Sequence, residues 1–338
     1  MNIGVLGAGS WGIALSVLLH KKGHKLCMWE YSAEVARFLN EKRELPSKLP
    51  GIIIPQDVEI TNSISKMLET AQLVLCVVPS QTMRQTLKTA AKETDPAALA
   101  KIDGWIMASK GIETSTLKLM TDVLTDEIPG LPPDKIAVLS GPSHAEEVSR
   151  DMPTTVVAAS ENKKLAELIQ EQFSTDSFRI YTNDDMRGVE LAASIKNVIA
   201  LAAGITDGMG FGDNTKGAIM TRGIAEMMRL GRKMGARDST FSGLAGIGDL
   251  ITTCISRHSR NRRMGELLAQ GLTLDEALER MTMVAEGVQT TKSAYELAKK
   301  IGIEMPITAE LYKMLFEGKP AKEAVRDLMM RETKPEIW

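Results

Sequence analysis

The sequence predicts an α/β N-terminal half with a Rossmann-like sheet, followed by an all-α C-terminal half. Three observations carry this. A glycine-rich turn joins a strand pattern to a helix pattern at the start of the chain. Short apolar runs of strand character then alternate with helical segments up to about residue 183. Beyond about residue 188 the apolar spacing is helical, broken by glycine-rich turns such as "GMGFGDNTKG" (208–217). The change of pattern divides the chain into 1–188 and 189–338, and 338 residues suit two domains.

The elements follow in order. "NIGVLG" is a buried-strand pattern, "SWGIALSVLLHKKG" has helical apolar spacing with a stop at Gly23, and "HKLCMWE" is a second strand. Strand, glycine turn, helix and strand make one βαβ unit, and each glycine of "GAGSWG" has a purpose there. Gly7 makes the tight turn, Gly9 leaves room for a pyrophosphate, and Gly12 lets helix and strand pack closely. The helix start offers backbone N–H groups to phosphates. The 1–188 half is therefore expected to bind a dinucleotide. Glu30, at the end of the second strand, is spaced to accept hydrogen bonds from the adenosine ribose, which favours NAD over NADP; an ordinary surface glutamate is the alternative. "AQLVLCVVPS" (71–80), "GWIMASKGIE" (104–113) and "KIAVLSGPSHAEEV" (135–148) are further buried strands. Their ends carry Ser80, Lys110 and Gly141-Pro142-Ser143, and ligands bind at such carboxyl ends. "TTVVAAS" (154–160) and "FRIYTN" (178–183) are later strands of antiparallel character.

Composition narrows the function. A chain that is 25% charged and 43% hydrophobic has an ordinary globular profile. A net charge of −2 gives no field for nucleic acid or an anionic membrane. No apolar run is expected to span a membrane, and the N-terminus lacks the basic region of a signal peptide. Cys27, Cys76 and Cys254 are too few and too scattered for a disulfide framework or a zinc site, and they suit a reducing cytoplasm. His20, His24, His144 and His258 lack metal-ligand spacing, so no metal is expected.

Three features of the second half point to chemistry. In "GVELAASIKNVIALAAGI" (188–205) Lys196 has Ala192, Ala193, Ile199 and Ala200 as its helical neighbours, none able to pair with it. Such a lysine is either desolvated and suited to proton transfer, or snorkels from the helix edge. Asp249 in "LAGIGDLITTC" (244–254) either caps the following helix or orients a lysine ammonium. "SRHSRNRRMGELL" (256–268), with Arg257, Arg260, Arg262 and Arg263, is either a phosphate site at a helix start or a solvated basic turn.

Taken in order, "GAGSWG", "ASKGIE", "SGPSHAEE", "IKNVIALAAGI", "GLAGIGDLITTC", "HSRNRR", "VAEGVQTT" and "EMPIT" closely resemble the bacterial type of NAD(P)-dependent glycerol-3-phosphate dehydrogenase over nearly the whole chain. The resemblance implies a homodimer. It implies interconversion of dihydroxyacetone phosphate and sn-glycerol 3-phosphate for phospholipid synthesis, with NAD or NADP as cofactor. It makes Lys196 the proton donor and acceptor, Lys110 a contact of both substrate and cofactor, and Gly141 and Ser143 substrate contacts. Asp249, Ser259, Arg260 and Asn261 become the substrate cluster. Ser10, Trp11, Ala145, Arg260, Val284 and Glu286 become cofactor contacts. One pair departs from the pattern: many bacterial relatives have a small residue followed by Arg or His where this chain has Glu30 and Tyr31 at the adenosine end.

The chemistry expected is hydride addition to the C2 carbonyl carbon, with Lys196, oriented by Asp249, stabilising the oxygen and protonating it, and Lys110 adding positive field. A two-domain β-hydroxyacid dehydrogenase would share the first half but not need Ser259-Arg260-Asn261. A non-enzymatic NADH-sensing module would need no isolated Lys196.

Overall fold

The computed structural model describes residues 1–281, 283–333, 335 and 336. Among them the strands are β1 (Asn2–Leu6), β2 (Lys25–Trp29), β3 (Glu59–Thr61), β4 (Leu73–Cys76), β5 (Gly104–Met107), β6 (Ile136–Ser140), β7 (Thr154–Ala159) and β8 (Phe178–Asn183). They form one sheet in the order β3-β2-β1-β4-β5-β6-β7-β8. The first six run parallel; β7 is antiparallel to β6, and β8 runs parallel to β7. The antiparallel character expected of 154–160 and 178–183 is thus found relative to the parallel strands. β3 was not anticipated. It is a three-residue edge strand, too short to show any alternation.

Both faces of the sheet are covered. Val5, Leu73, Leu75 and Ile106 belong to one core, while Leu6, Val74, Cys76 and Met107 belong to the other. Strands buried on both sides need apolar residues at every position, which is why they read as continuous runs. The order of strands reverses at β1, with β2 on one side and β4 on the other. That is where an open α/β sheet leaves a crevice beyond its carboxyl ends.

After β8 the described chain is helical. Helix Met186–Gly208 starts from Asp185, whose carboxylate accepts from Gly188 N at 2.9 Å. Every residue from Gly188 to Thr206 is buried. By length and hydropathy this helix could cross a membrane, which corrects the expectation that no apolar run reaches that size; its whole apolar window lies inside the protein. Helices Asp213–Lys233, Asp249–Ile255, Arg260–Ala269 and Glu286–Ile301 pack around it. The crossing with Arg260–Ala269 is a backbone contact. A Cβ on Gly204 would lie 2.0 Å from Arg262 O, and one on Gly265 would lie 2.2 Å from Leu201 O. Glycine on both helices lets the start of Arg260–Ala269 approach the turn that carries Lys196 and Asn197.

Candidate active site

The glycine turn after β1 has the geometry that its sequence requires. Gly7 has φ +126°, a value side chains rarely adopt, and a Cβ on Gly12 would lie 2.0 Å from Gly7 O. A Cβ on Gly9 would meet nothing within 4 Å, so this glycine faces open space. Gly9 precedes helix Ser10–Lys21 with no side-chain cap, leaving the first backbone N–H groups without an intrahelical partner. Among the described residues Trp11 Nε1 is buried without a partner. Free donors around an open cradle fit a dinucleotide pyrophosphate. At the end of β2, the Glu30 carboxylate accepts from Ser32 N at 3.0 Å, and among the described residues it has no ion pair. Tyr31 is 84% exposed and packs edge-on against Trp29.

The ends of the central strands meet the helical half. At the end of β4, Ser80 N and Oγ donate to Glu286 Oε1 and Oε2 at 3.0 and 2.5 Å. Burial holds the Glu286 carboxyl above its ordinary range. Glu286, a cofactor contact by resemblance, is therefore anchored to the sheet. Beyond β5, Lys110 Nζ donates to Asp249 Oδ2 at 2.9 Å and to Gly141 O at 3.4 Å. Beyond β6, Ser143 Oγ donates to that same Gly141 O at 2.8 Å. Ala145 opens the short helix Ala145–Val148 and is buried.

Lys196 does not snorkel. It is 5% exposed, and its Nζ donates to Asp249 Oδ1 and, at 2.7 Å, to Thr253 Oγ1. Asp249 is not the helix cap either: Gly248 holds that position, and the Asp249 carboxylate receives both lysines. Asp249 is 1% exposed; burial alone would push its pKa up, but the Lys110 and Lys196 ammonium groups outweigh that and hold it low. One carboxylate faces two ammonium groups, so the cluster carries a surplus positive charge. Lys196 is the lysine that releases it: burial, aided by repulsion from Lys110, draws its pKa down to about 7 despite Asp249.

The basic segment lies beside this cluster. Ser259 caps helix Arg260–Ala269, its Oγ accepting from Arg262 N at 3.2 Å. Arg262 is committed to Asp207 and Glu266. Arg260 is exposed, with Nη1 on Val284 O at 3.3 Å, so two residues assigned to the cofactor meet each other. Asn261 is buried, its Nδ2 on Asn197 Oδ1 at 2.9 Å and its Oδ1 accepting from Gly287 N at 2.8 Å. Arg260, the Ser259 hydroxyl proton and the first helical N–H groups remain as donors to an anion.

Residues 2–166 match the family model described as NAD-dependent glycerol-3-phosphate dehydrogenase N-terminus, and residues 185–326 match its C-terminus. The chain belongs to the NAD-dependent glycerol-3-phosphate dehydrogenase family. It is similar to the glycerol-3-phosphate dehydrogenase (NAD(P)+) of Chlorobium luteolum, 49% identical over 336 residues, 99% of each chain. The enzyme of that name from Chlorobium phaeobacteroides is 50% identical over 340 aligned positions, 100% of each. The crystal structure of glycerol-3-phosphate dehydrogenase from Coxiella burnetii superposes with a TM-score of 0.92 at 36% identity, covering 98% of this chain and 99% of that one. A D-mandelate dehydrogenase aligned at 11% identity and a TM-score of 0.62 shares the fold alone. The chain is thus an NAD(P)-dependent oxidoreductase.

Sequence reasoning missed Thr253 and Asn197. Thr253 was accessible in principle, because it follows Asp249 by one helical turn and so shares its face. Asn197 gave no local signal, since its partner Asn261 comes from a distant segment.

Proposed function

We propose that this protein interconverts dihydroxyacetone phosphate and sn-glycerol 3-phosphate, with residues 1–188 holding the dinucleotide and 189–338 supplying the substrate site. The observation that carries the reading is the buried Lys196–Asp249–Lys110 cluster at the carboxyl ends of β5 and β6, beside the capped helix start at Ser259.

Gly7, Gly9, Ser10, Trp11 and Gly12 would hold the pyrophosphate, and Glu30 the adenosine ribose, with Tyr31 beside it. When bound, the nicotinamide cofactor supplies or accepts the hydride at C2 of the substrate. Lys196 has three N–H donors, and among the described residues Asp249 and Thr253 take two, leaving one for the C2 oxygen. As negative charge grows on that oxygen, the ammonium stabilises it and delivers its proton; the neutral amine takes the proton back in the reverse direction. Asp249 orients the ammonium, and Lys110 adds positive field and contacts both ligands. Gly141 and Ser143 line the substrate, Ala145, Val284 and Glu286 the cofactor. Arg260 and Ser259 grip the phosphate, with Asn261 fixing that helix start. Binding energy from the phosphate positions C2.

Glu30 favours NAD over NADP, because a 2′-phosphate would meet a carboxylate. We also infer a homodimer that feeds glycerophospholipid synthesis, by the family resemblance, and a cytoplasmic location, by the three scattered free cysteines. The test is to follow NADH oxidation with dihydroxyacetone phosphate, unphosphorylated dihydroxyacetone and a panel of keto acids. Turnover should strongly favour the phosphorylated ketone over unphosphorylated dihydroxyacetone; preference for a keto acid would overturn the assignment.

A further inference from the structure

The substrate offers three polar groups: a phosphate, a carbonyl and a free hydroxyl on C1. The proposed site accounts for the first two through Arg260 and Lys196. Among the described residues, one polar atom in the same centre lacks a protein partner. Among the described residues His144 Nε2 is buried and has no hydrogen-bond partner. His144 sits between Ser143 and Ala145 at the start of helix Ala145–Val148, where its side chain makes no cap bond. Its ring lies 6.0 Å from that of His258, next to the cap residue Ser259. Lys196, Asp249 and Lys110 are close enough to act on it electrostatically. The imidazole is neutral at physiological pH: burial, with the Lys196 ammonium next, draws its pKa down to about 4. A buried polar atom left unpaired is unfavourable and calls for an explanation.

A neutral imidazole does not match a phosphate dianion, which a cation serves better. It does match a hydroxyl, which is neutral and both donates and accepts. We propose that His144 Nε2 hydrogen-bonds the C1 hydroxyl of dihydroxyacetone phosphate, making His144 a specificity-determining residue for that end of the substrate. This rests on the reading of the site given above. A site built to pair a hydroxyl rejects the analogue that lacks it, because the protein atom is then stranded.

The test compares dihydroxyacetone phosphate with hydroxyacetone phosphate, which has a methyl group in place of the hydroxymethyl. Turnover of dihydroxyacetone phosphate by the unaltered enzyme tests the site itself; the ratio of kcat/KM for the two substrates tests His144. The unaltered enzyme should favour dihydroxyacetone phosphate by at least about tenfold beyond His144→Phe, the scale of one lost hydrogen bond. His144→Phe should lower kcat/KM for dihydroxyacetone phosphate and leave hydroxyacetone phosphate nearly unchanged, so the ratio collapses. His144→Leu, a smaller side chain, carries the same comparison should phenylalanine prevent folding. His144→Gln, which keeps an N–H near the same place, should restore most of the ratio. KM for NADH should stay constant throughout. Equal losses on both substrates, or an unchanged ratio in the apolar variants, would overturn the proposal and leave His144 a packing residue.

Discussion

Replacing Lys196 by alanine should lower kcat for dihydroxyacetone phosphate reduction by at least about 100-fold, the low end for a lost general acid. That corresponds to about 2.7 kcal/mol of transition-state stabilisation. The fold should survive, because Asp249 is not stranded: Lys110 still donates to its Oδ2 at 2.9 Å. A buried carboxylate with no partner would be far costlier. NADH affinity should hardly change, since the Gly7–Gly12 turn follows β1 and the bonds of the Lys196 side chain go to Asp249 and Thr253 instead. The pH profile gives a second reading. Burial draws the Lys196 pKa to about 7, and reduction needs the ammonium, so kcat for reduction should fall as pH rises through about 7. Oxidation of sn-glycerol 3-phosphate needs the free amine and should rise over the same range. The assay is steady-state kcat against pH in both directions, with thermal melting and NADH titration as controls. Near-normal turnover by the alanine variant, or an unmoved inflection near pH 7 in its profile, would refute the assignment and make Lys110 the next candidate.

Other outcomes test other parts of the molecule. NADH should be used at least as efficiently as NADPH, and Glu30→Ala should narrow the gap; clear NADPH preference in the unaltered enzyme would contradict the role of Glu30. Arg260→Ala should cost at least about 2 kcal/mol in kcat/KM for dihydroxyacetone phosphate, and far less for unphosphorylated dihydroxyacetone at saturating NADH. Equal losses on both would return the basic segment to a structural turn. Glu226 is fully enclosed, accepting from Ile307 N at 2.5 Å and from Thr308 N and Oγ1 at 3.2 and 2.9 Å, and burial raises its pKa to about 7. Between its unfolded value of 4.5 and about 7 the folded state alone keeps the proton. Its contribution is thus complete below the unfolded value and lost as pH rises through about 7, on the order of 3 kcal/mol at most. Glu226→Gln should remove that part of the pH dependence of Tm; an unchanged slope would show that Glu226 stays ionised.

What was legible in the sequence was what sterics and periodicity enforce locally. The roles of Gly7 and Gly12 follow from a turn that leaves no room for a side chain, and the structure has both constraints. The buried strands were visible because two covered faces demand unbroken apolar runs. β3 was not, because three residues at a sheet edge carry no pattern. Lys196 stood out by its lack of helical partners, but its actual partner is 53 residues away in sequence and no local signal names it. The same holds for Asn261, read as a substrate donor. Its amide also ties the helix start to Asn197 and Gly287, a packing role that only the fold reveals. Glu286 reaches Ser80 across 206 residues, joining the helical half to the end of β4.

The most direct measurement is a crystal structure of the ternary complex with NAD and sn-glycerol 3-phosphate. The C2 oxygen should lie within hydrogen-bond distance of Lys196 Nζ, with the phosphate at the start of helix Arg260–Ala269 and the pyrophosphate against Gly9. A substrate bound with its C2 oxygen away from Lys196, or with its phosphate away from Ser259 and Arg260, would contradict the proposed site.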